Sequence, residues 1–378
     1  MAMQDLLKKV QDKLGKQNED IILDYNKKLN TISTGSLILD NILGGGLLVE
    51  KRISEIFGLE SSGKTTICLQ SAREALKQGK DVLFMDFEQT YDVNYAINLG
   101  IDKDSTQLLV VRPANLEEGI TILREAEKLL GDGAVIIIDS VASAKPKKLL
   151  DHAGEQQQIG LHAQRVGELC AYLQSVWCGQ KRAYVLLTNQ VRRVPSATNM
   201  FQAKTFKSSG VGFGSSNDDS FTTTGGNQLR YLCTIRLALD FAGKIETGTF
   251  EAGDIERVGN NIKAFVVKNK IAPPFQSAKL AIMYGAGTDD FFALVETLKG
   301  HGYISNTGAS YIYLDSARND VESNNGLSFK TRGKDAFFNQ LKQDKYRNDM
   351  QITYKHIMNT SEAIKIIENE DDFVPTLD

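Results

Sequence analysis

Residues 58–65 read Gly-Leu-Glu-Ser-Ser-Gly-Lys-Thr, which fits the pattern G-x-x-x-x-G-K-[ST]. No other feature constrains the fold so tightly, because the pattern works only as a loop between a strand and a helix. Gly58 and Gly63 let the backbone wrap an anion with its N–H groups, and the following helix aims its positive end at the same point. Lys64 then neutralises outer phosphates, and Thr65 offers a hydroxyl to Mg2+. The flanks supply both elements. Residues 52–57 read as a short strand, and residues 64–78 as a helix with Gly79 past its end.

The pattern continues as strand alternating with helix. Strands are expected at 82–87, 108–111, 134–138 and 184–188. The run 134–138 is almost purely aliphatic and ends in Asp139, as a central parallel strand covered on both faces requires. Asn115 opens a helix, and Glu118 three residues on completes a capping pattern. Val166, Leu169, Leu173 and Val176 mark a further helical stripe. Such alternation predicts an α/β fold with a mostly parallel, doubly wound sheet. Later strands at 233–239, 263–267 and 279–284 are expected to extend the sheet in antiparallel fashion. Between them and the last parallel strand, residues 192–221 are rich in Ser, Gly, Asn and Lys and show no period. A loop that long in a compact domain is usually functional or disordered.

At the start of the chain, Leu6, Leu7, Val10 and Leu14 form one narrow helical stripe that Gly15 can end. It must dock on something, either its own domain or a neighbouring subunit. The expected organisation is an arm at 1–30, a core at 31–288, a small mixed domain at 289–367 and an acidic tail at 368–378. Net charge is −3, so charge alone gives no hint of nucleic acid, and basic groups for it would have to be grouped locally. Cys68, Cys170, Cys178 and Cys233 form no CxxC pair. They read as reduced thiols of a cytosolic, cytoplasmic protein. There is no apolar signal core and no run apolar enough to cross a membrane.

A Mg2+ site beside the phosphate loop needs a carboxylate at the carboxyl edge of the sheet. Asp139 is the candidate, with Ser140 beside it. An Asp at a strand end is more often a helix cap, but the phosphate loop upstream reverses those odds. Hydrolysis also needs a group to orient or deprotonate water. Glu88 and Asp86 both qualify, and strand alternation sends them to the same face, so spacing does not choose between them. Gln190, a neutral amide ending the strand 184–188, is placed to report an outer phosphate to the long loop that follows.

Taken in order, these pieces resemble the RecA family. The matching runs are residues 31–36 with Leu39-Asp40, residues 60–66, residues 138–142, Asn189-Gln190 with Arg192, residues 222–227, and residues 267–272 with Pro274-Phe275. A phosphate loop alone would fit many ATPases. The run Thr-Thr-Thr-Gly-Gly-Asn and the run Val-Lys-Asn-Lys-Ile-Ala are far more specific. Leu14-Gly15-Lys16 and the aliphatic residues 21–23 look like the family's N-terminal arm. The resemblance implies a RecA-type ATPase core with a helical arm and a small C-terminal α+β domain. It implies ATP and Mg2+ as cofactors, with Glu60, Ser61, Ser62 and Thr66 completing the phosphate site. Glu88 looks like the catalytic carboxylate. Asp92 and Tyr95 look like adenine-side contacts, and Tyr284 and Gly285 like the opposite wall. Lys268 and Lys270, close together at a strand end and on one face of it, look like the lysines that reach a neighbour's ATP. Tyr231 falls at the family's filament interface. Residues 151–160, including Ile159 and Gly160, match a first DNA-binding loop followed by Arg165. Residues 192–226 match a second, with Arg192, Arg193, Thr223, Thr224, Gly225, Gly226 and Asn227 as contacts.

Three departures stand out. The second loop is longer than in bacterial members, Phe221 replaces a glutamate, and Arg165 sits one place late. Such divergence would suit a phage- or plasmid-borne member. The second loop also offers Lys204 and Lys207, with Phe201, Phe206, Phe213 and Phe221 among its cations, as single-strand binding needs. Because the loop begins directly after Gln190, phosphate and DNA could order the same segment. The expected activity is DNA-dependent ATP hydrolysis by a recombinase that forms a helical filament on single-stranded DNA and pairs it with double-stranded DNA. A ring helicase would have no reason to carry residues 222–227 or 268–272. A non-catalytic ATP-binding regulator would not need Lys64, Glu88 and Asp139 intact. The tail acids Glu368, Glu370, Asp371 and Asp372 would either solubilise the chain or compete with DNA for basic surface.

Overall fold

The computed structural model of the chain describes residues 29–151, 160–193, 221–247, 256–319, 321 and 326–359, with residues 5, 8, 9 and 12. Ile159, the span 194–220, the apolar stripe of the arm and the acidic tail lie outside the described residues. Residues Met1–Asn30 and Thr31–Asp378 are separate compact units. In the first, residues 5, 8, 9 and 12 are helical.

The second unit opens with β1 (Thr31–Ile32), α1 (Leu37–Leu43), β2 (Leu48–Val49) and β3 (Arg52–Gly58). There follow α2 (Lys64–Lys77), β4 (Val82–Asp86), α3 (Val93–Asn98), β5 (Leu108–Val111), α4 (Leu116–Leu129) and β6 (Val135–Asp139). Next come α5 (Lys147–Asp151), α6 (Leu161–Tyr172), β7 (Tyr184–Arg193), β8 (Phe221–Thr223) and α7 (Gly226–Leu232). The core closes with β9 (Ile235–Thr247), β10 (Glu256–Asn269), β11 (Ser277–Met283) and β12 (Gly287–Asp289). One sheet runs β12-β11-β10-β9-β3-β7-β6-β4-β5, with β8 paired to β7. From β9 to β5 every pairing is parallel, and β9-β10-β11-β12 are antiparallel. This is the expected α/β architecture. The reason is plain in β4 and β6, where every residue is buried, so both faces must be covered by helices.

Several expectations need correction. The strand expected at 233–239 as part of an antiparallel extension runs parallel to β3, and only β10 onward reverses. The stripe through Val176 does not continue as one α-helix. A π-helical turn, Leu173–Cys178, follows α6, and its wider winding brings Trp177 and Cys178 into the core at 0% exposure. β7 runs past Thr188 to Arg193, because Val191, Arg192 and Arg193 pair with Thr223, Thr222 and Phe221. The two ends of the long loop are therefore strand. Residues 226–232, which a search for long apolar periods passes over, form the short helix α7.

The C-terminal part has α8 (Phe291–Gly300), β13 (Ile304–Thr307), β14 (Ser310–Tyr313), β15 (Phe329–Arg332), α9 (Lys334–Leu341) and α10 (Asp344–Asn359). Its core is largely aromatic, built on Phe291, Tyr313, Phe329, Phe337 and Tyr346, and Ile38 of α1 packs into it. Asp290 stitches the same seam: it accepts from Ser36 Oγ at 2.6 Å and from Leu37 N at 2.6 Å.

Candidate functional site

The carboxyl ends of β3, β4, β6 and β7 meet at the start of α2. Gly63 holds a left-handed φ of 87° just before that helix, and a Cβ there would lie 2.0 Å from Ile282 Cδ1. Gly58 is equally pinched, since its Cβ would lie 2.3 Å from Leu239 O and 2.7 Å from Ser62 Oγ. Only glycine fits at either position, so the loop is locked between β9 and β11. Lys64 Nζ donates back to Leu59 O at 2.8 Å and Gly58 O at 3.3 Å. Burial holds the Lys64 ammonium below the usual lysine range, opposed by the negative charge of Asp139 and Glu88.

Thr65 Oγ1 donates to Asp139 Oδ2 at 2.7 Å, and Thr188 Oγ1 donates to Asp139 Oδ1 at 2.5 Å. Both carboxylate oxygens are thus oriented by hydroxyls. Burial still raises the Asp139 carboxyl above the usual carboxylate range. The phosphate loop fits a nucleotide and a divalent cation. Among the described residues Ser62 Oγ is buried with no hydrogen-bond partner, Lys64 donates to two carbonyls at the loop, and Asp139 and Thr65 supply hard oxygen donors. Glu60 and Ser61 lie exposed at the loop's outer edge.

The choice between Asp86 and Glu88 is made by the backbone. β4 stops at Asp86, so alternation does not carry on to Glu88. Asp86 turns back to accept from Thr90 N at 3.1 Å and Tyr91 N at 2.9 Å, with Arg112 Nε at 3.3 Å. Glu88 turns toward the loop, where its Oε1 accepts from Ser140 Oγ at 2.6 Å and Gln190 Nε2 at 3.0 Å. Ser140, expected beside the nucleotide, donates to Glu88.

The remaining expected contacts are more scattered. Tyr95 OH lies 2.7 Å from Thr66 Oγ1, which joins α3 to the first turn of α2. Asp92 caps α3 by accepting from Tyr95 N at 2.9 Å and is exposed. Tyr284 is 52% exposed and donates to Asn260 Oδ1 at 3.2 Å. Gly285 follows at φ 75°, with none of the described residues near where a Cβ would stand. Lys268 and Lys270 do not share a face of one regular strand. β10 ends at Asn269 and is irregular between Val266 and Lys268, so that alternation does not apply. Lys268 Nζ caps α7, donating to Arg230 O at 2.7 Å and Tyr231 O at 3.0 Å, while Lys270 is exposed. Gly160 caps α6 at φ 91°. Arg165 pairs with Glu168 at 2.7 Å, both half-exposed. Gly225 precedes α7 at φ 90°, Gly226 begins it, and Asn227 is exposed.

Glu55, Thr188 and Arg236 belong to no sequence motif, yet they join the site's hydrogen-bond network. The available signal was a lone acid inside the strand 52–57 and a lone arginine after Ile235, each expensive to bury unless paired.

A family model for the RecA N-terminal domain matches residues 1–289. Protein RecA of Acinetobacter baumannii (strain AYE) is 35% identical over 317 residues, 82% of each chain. Protein RecA of Sulfurovum sp. (strain NBC37-1) is 33% identical over 342 residues, 90% of this chain and 87% of the relative. Protein RecA of Thermotoga sp. (strain RQ2) is 33% identical over 331 residues, 86% and 85% of the two. With the phosphate loop seated between parallel strands and this likeness over most of its length, the chain belongs to the RecA family of recombinases.

Proposed function

We propose that the protein hydrolyses ATP in a DNA-dependent manner, polymerises on single-stranded DNA, and pairs that strand with homologous duplex. The observation that carries this reading is the meeting of two systems at the end of β7. Gln190 holds Glu88 of the phosphate site, and the strand continues directly into the pairing with Thr222 and Thr223 of the second loop. Among the described residues no helix is long and apolar enough to cross a membrane.

Residues 58–66 would hold the phosphates through backbone N–H groups, Lys64 and the Ser62 hydroxyl. Thr65 and Asp139 would hold Mg2+, which when bound neutralises charge on the phosphate oxygens. Glu88 is the group to take a proton from the attacking water, and Ser140 and Gln190 keep its carboxylate aimed at the loop. Tyr95, Asp92, Tyr284 and Gly285 would flank a nucleobase, and the support is the bond of Tyr95 to Thr66 beside the phosphate loop. Thr223, Thr224, Gly225, Gly226 and Asn227, with Arg192, Arg193, Gly160, Ile159 and Arg165, are the proposed DNA contacts. Glycines there admit a phosphate backbone closely. Lys268 and Lys270 would serve a neighbouring subunit's nucleotide.

The test is electron microscopy on single-stranded DNA with a slowly hydrolysed ATP analogue, beside ATP turnover with and without that DNA. A continuous helical filament with DNA-stimulated turnover supports the reading. Closed rings, or nucleotide binding with no turnover, would replace it with a helicase or a regulator.

A further inference from the structure

At the end of β7 three successive side chains reach different partners. Thr188 goes to Asp139 and Gln190 to Glu88, both in the phosphate site. Asn189 lies between them and, by strand alternation, on the opposite face. Its Nδ2 donates to Glu55 Oε1 at 2.8 Å and to Thr224 O at 2.9 Å. Its Oδ1 accepts from Thr224 Oγ1 at 2.5 Å and from Gln190 N at 2.9 Å. Every hydrogen-bonding position of the amide is used.

Glu55 sits inside β3, the strand that ends in the phosphate loop, and is fully buried. Its second oxygen accepts from Arg236 Nε of β9 at 2.5 Å. Arg236 Nη2 then donates to Thr223 Oγ1 at 3.1 Å, and its guanidinium lies 4.7 Å from the Phe57 ring centroid. Thr223 and Thr224, the end of β8 and the turn after it, are therefore held by one closed network through β3, β7 and β9. A buried ion pair adds little stability over apolar groups of like volume. What it adds is direction, because each bond fixes where the next group stands. A backbone shift at Gln190 reaches Thr224 through a single amide.

We infer that Glu55, Asn189 and Arg236 are positioning residues that couple the phosphate site to the Thr223–Thr224 segment, so that nucleotide and DNA raise each other's affinity through this network. The inference rests on the proposed DNA-binding ATPase. It goes further by naming side chains that touch neither ligand.

The test measures the dissociation constant of a fluorescent oligo(dT) with and without the ATP analogue ATPγS, and of ATPγS alone. The proteins are wild type, Glu55→Gln, and the double variant Glu55→Met/Arg236→Met. Glu55→Gln leaves Arg236 without its counter-charge and can fail to fold, which thermal unfolding reports. The double variant removes both charges and keeps the test decisive. In wild type ATPγS should tighten oligo(dT) binding at least about 5-fold. In the double variant each ligand alone should bind within about 2-fold of wild type, while the tightening falls to about 1-fold. Tightening that persists in the double variant overturns the inference. So does loss of each separate affinity in step with the coupling, since the network would then serve only the fold. Wild type with no tightening overturns the DNA-coupled ATPase reading itself, and the inference with it.

Discussion

Asp86 and Glu88 carry the same chemistry two positions apart, and the backbone separates their roles. Asp86 holds the turn through Thr90 and Tyr91, while Glu88 faces the phosphate loop with Ser140 and Gln190 on it. Glu88→Gln keeps an oxygen for both donors, so it should bind nucleotide normally while turnover falls about 10²–10⁴-fold, as loss of a general base does. Steady-state turnover beside nucleotide affinity measures this, and normal turnover would move the role elsewhere. Lys64→Ala should abolish turnover and weaken nucleotide binding, because no other cation among the described residues of the loop replaces it. Asp139 gives a prediction for stability. Burial raises its carboxyl, so its ionised form costs the nucleotide-free fold stability once the pH is above that raised value. Asp139→Asn, whose amide can still bond Thr65 and Thr188, should therefore raise the melting temperature of the nucleotide-free protein at neutral pH. It should also remove Mg2+-dependent turnover. A lower melting temperature would mean that the two hydroxyls outweigh the burial cost.

Among the elements, α4 shows how far local sequence reaches. Asn115 Oδ1 accepts from Glu118 N at 2.9 Å, and Glu118 Oε2 reciprocates on Ala114 N at 2.9 Å, one residue earlier than the usual capping box. Asn115→Ala should lower stability by about 1 kcal/mol and leave turnover unchanged. Chemical denaturation checks it, and an effect near zero would mean that Glu118 carries the cap alone. The start of α2 is the opposite case, set by tertiary packing. Gly63→Ala forces a side chain into the left-handed region and onto Ile282. It should cost about 1–3 kcal/mol and weaken nucleotide binding, measured by unfolding and by titration.

The whole molecule raises the question of shared sites. In the single chain Lys268 caps α7, the helix that begins at the proposed DNA-contacting glycines. Lys268→Ala should cost at most about 1 kcal/mol as a lost helix-end cation and leave nucleotide binding intact. If the lysine also serves a neighbour's nucleotide, DNA-stimulated turnover should fall steeply. Mixing Lys268→Ala with Lys64→Ala should then restore part of it, because some interfaces would combine an intact Lys268 with an intact Lys64. Turnover measured across mixing ratios decides the matter, and no rescue at any ratio would count against a site built from two chains.

The phosphate loop and the parallel sheet are legible in the residues alone, and for a shared reason. Both are written in short-range signals: glycines at fixed spacing, an aliphatic run with no polar face, and a cap three residues from its partner. The place of Asp139 beside Thr65 followed too, because a strand end leaves little freedom. The rest depends on how the chain packs. Packing turned Glu88 away from Asp86 by ending β4 early, and ran β9 parallel to β3 although its neighbour β10 is antiparallel. It inserted a π-helical turn to bury Trp177, and extended β7 into the long loop by pairing it with Thr222 and Thr223. Above all it brought Glu55, Asn189 and Arg236 together from positions up to 181 residues apart. A lone buried acid and a lone buried arginine each announce that a partner exists. Which partner it is depends on strand order, and strand order is settled by the packing of the whole sheet rather than by any segment of it.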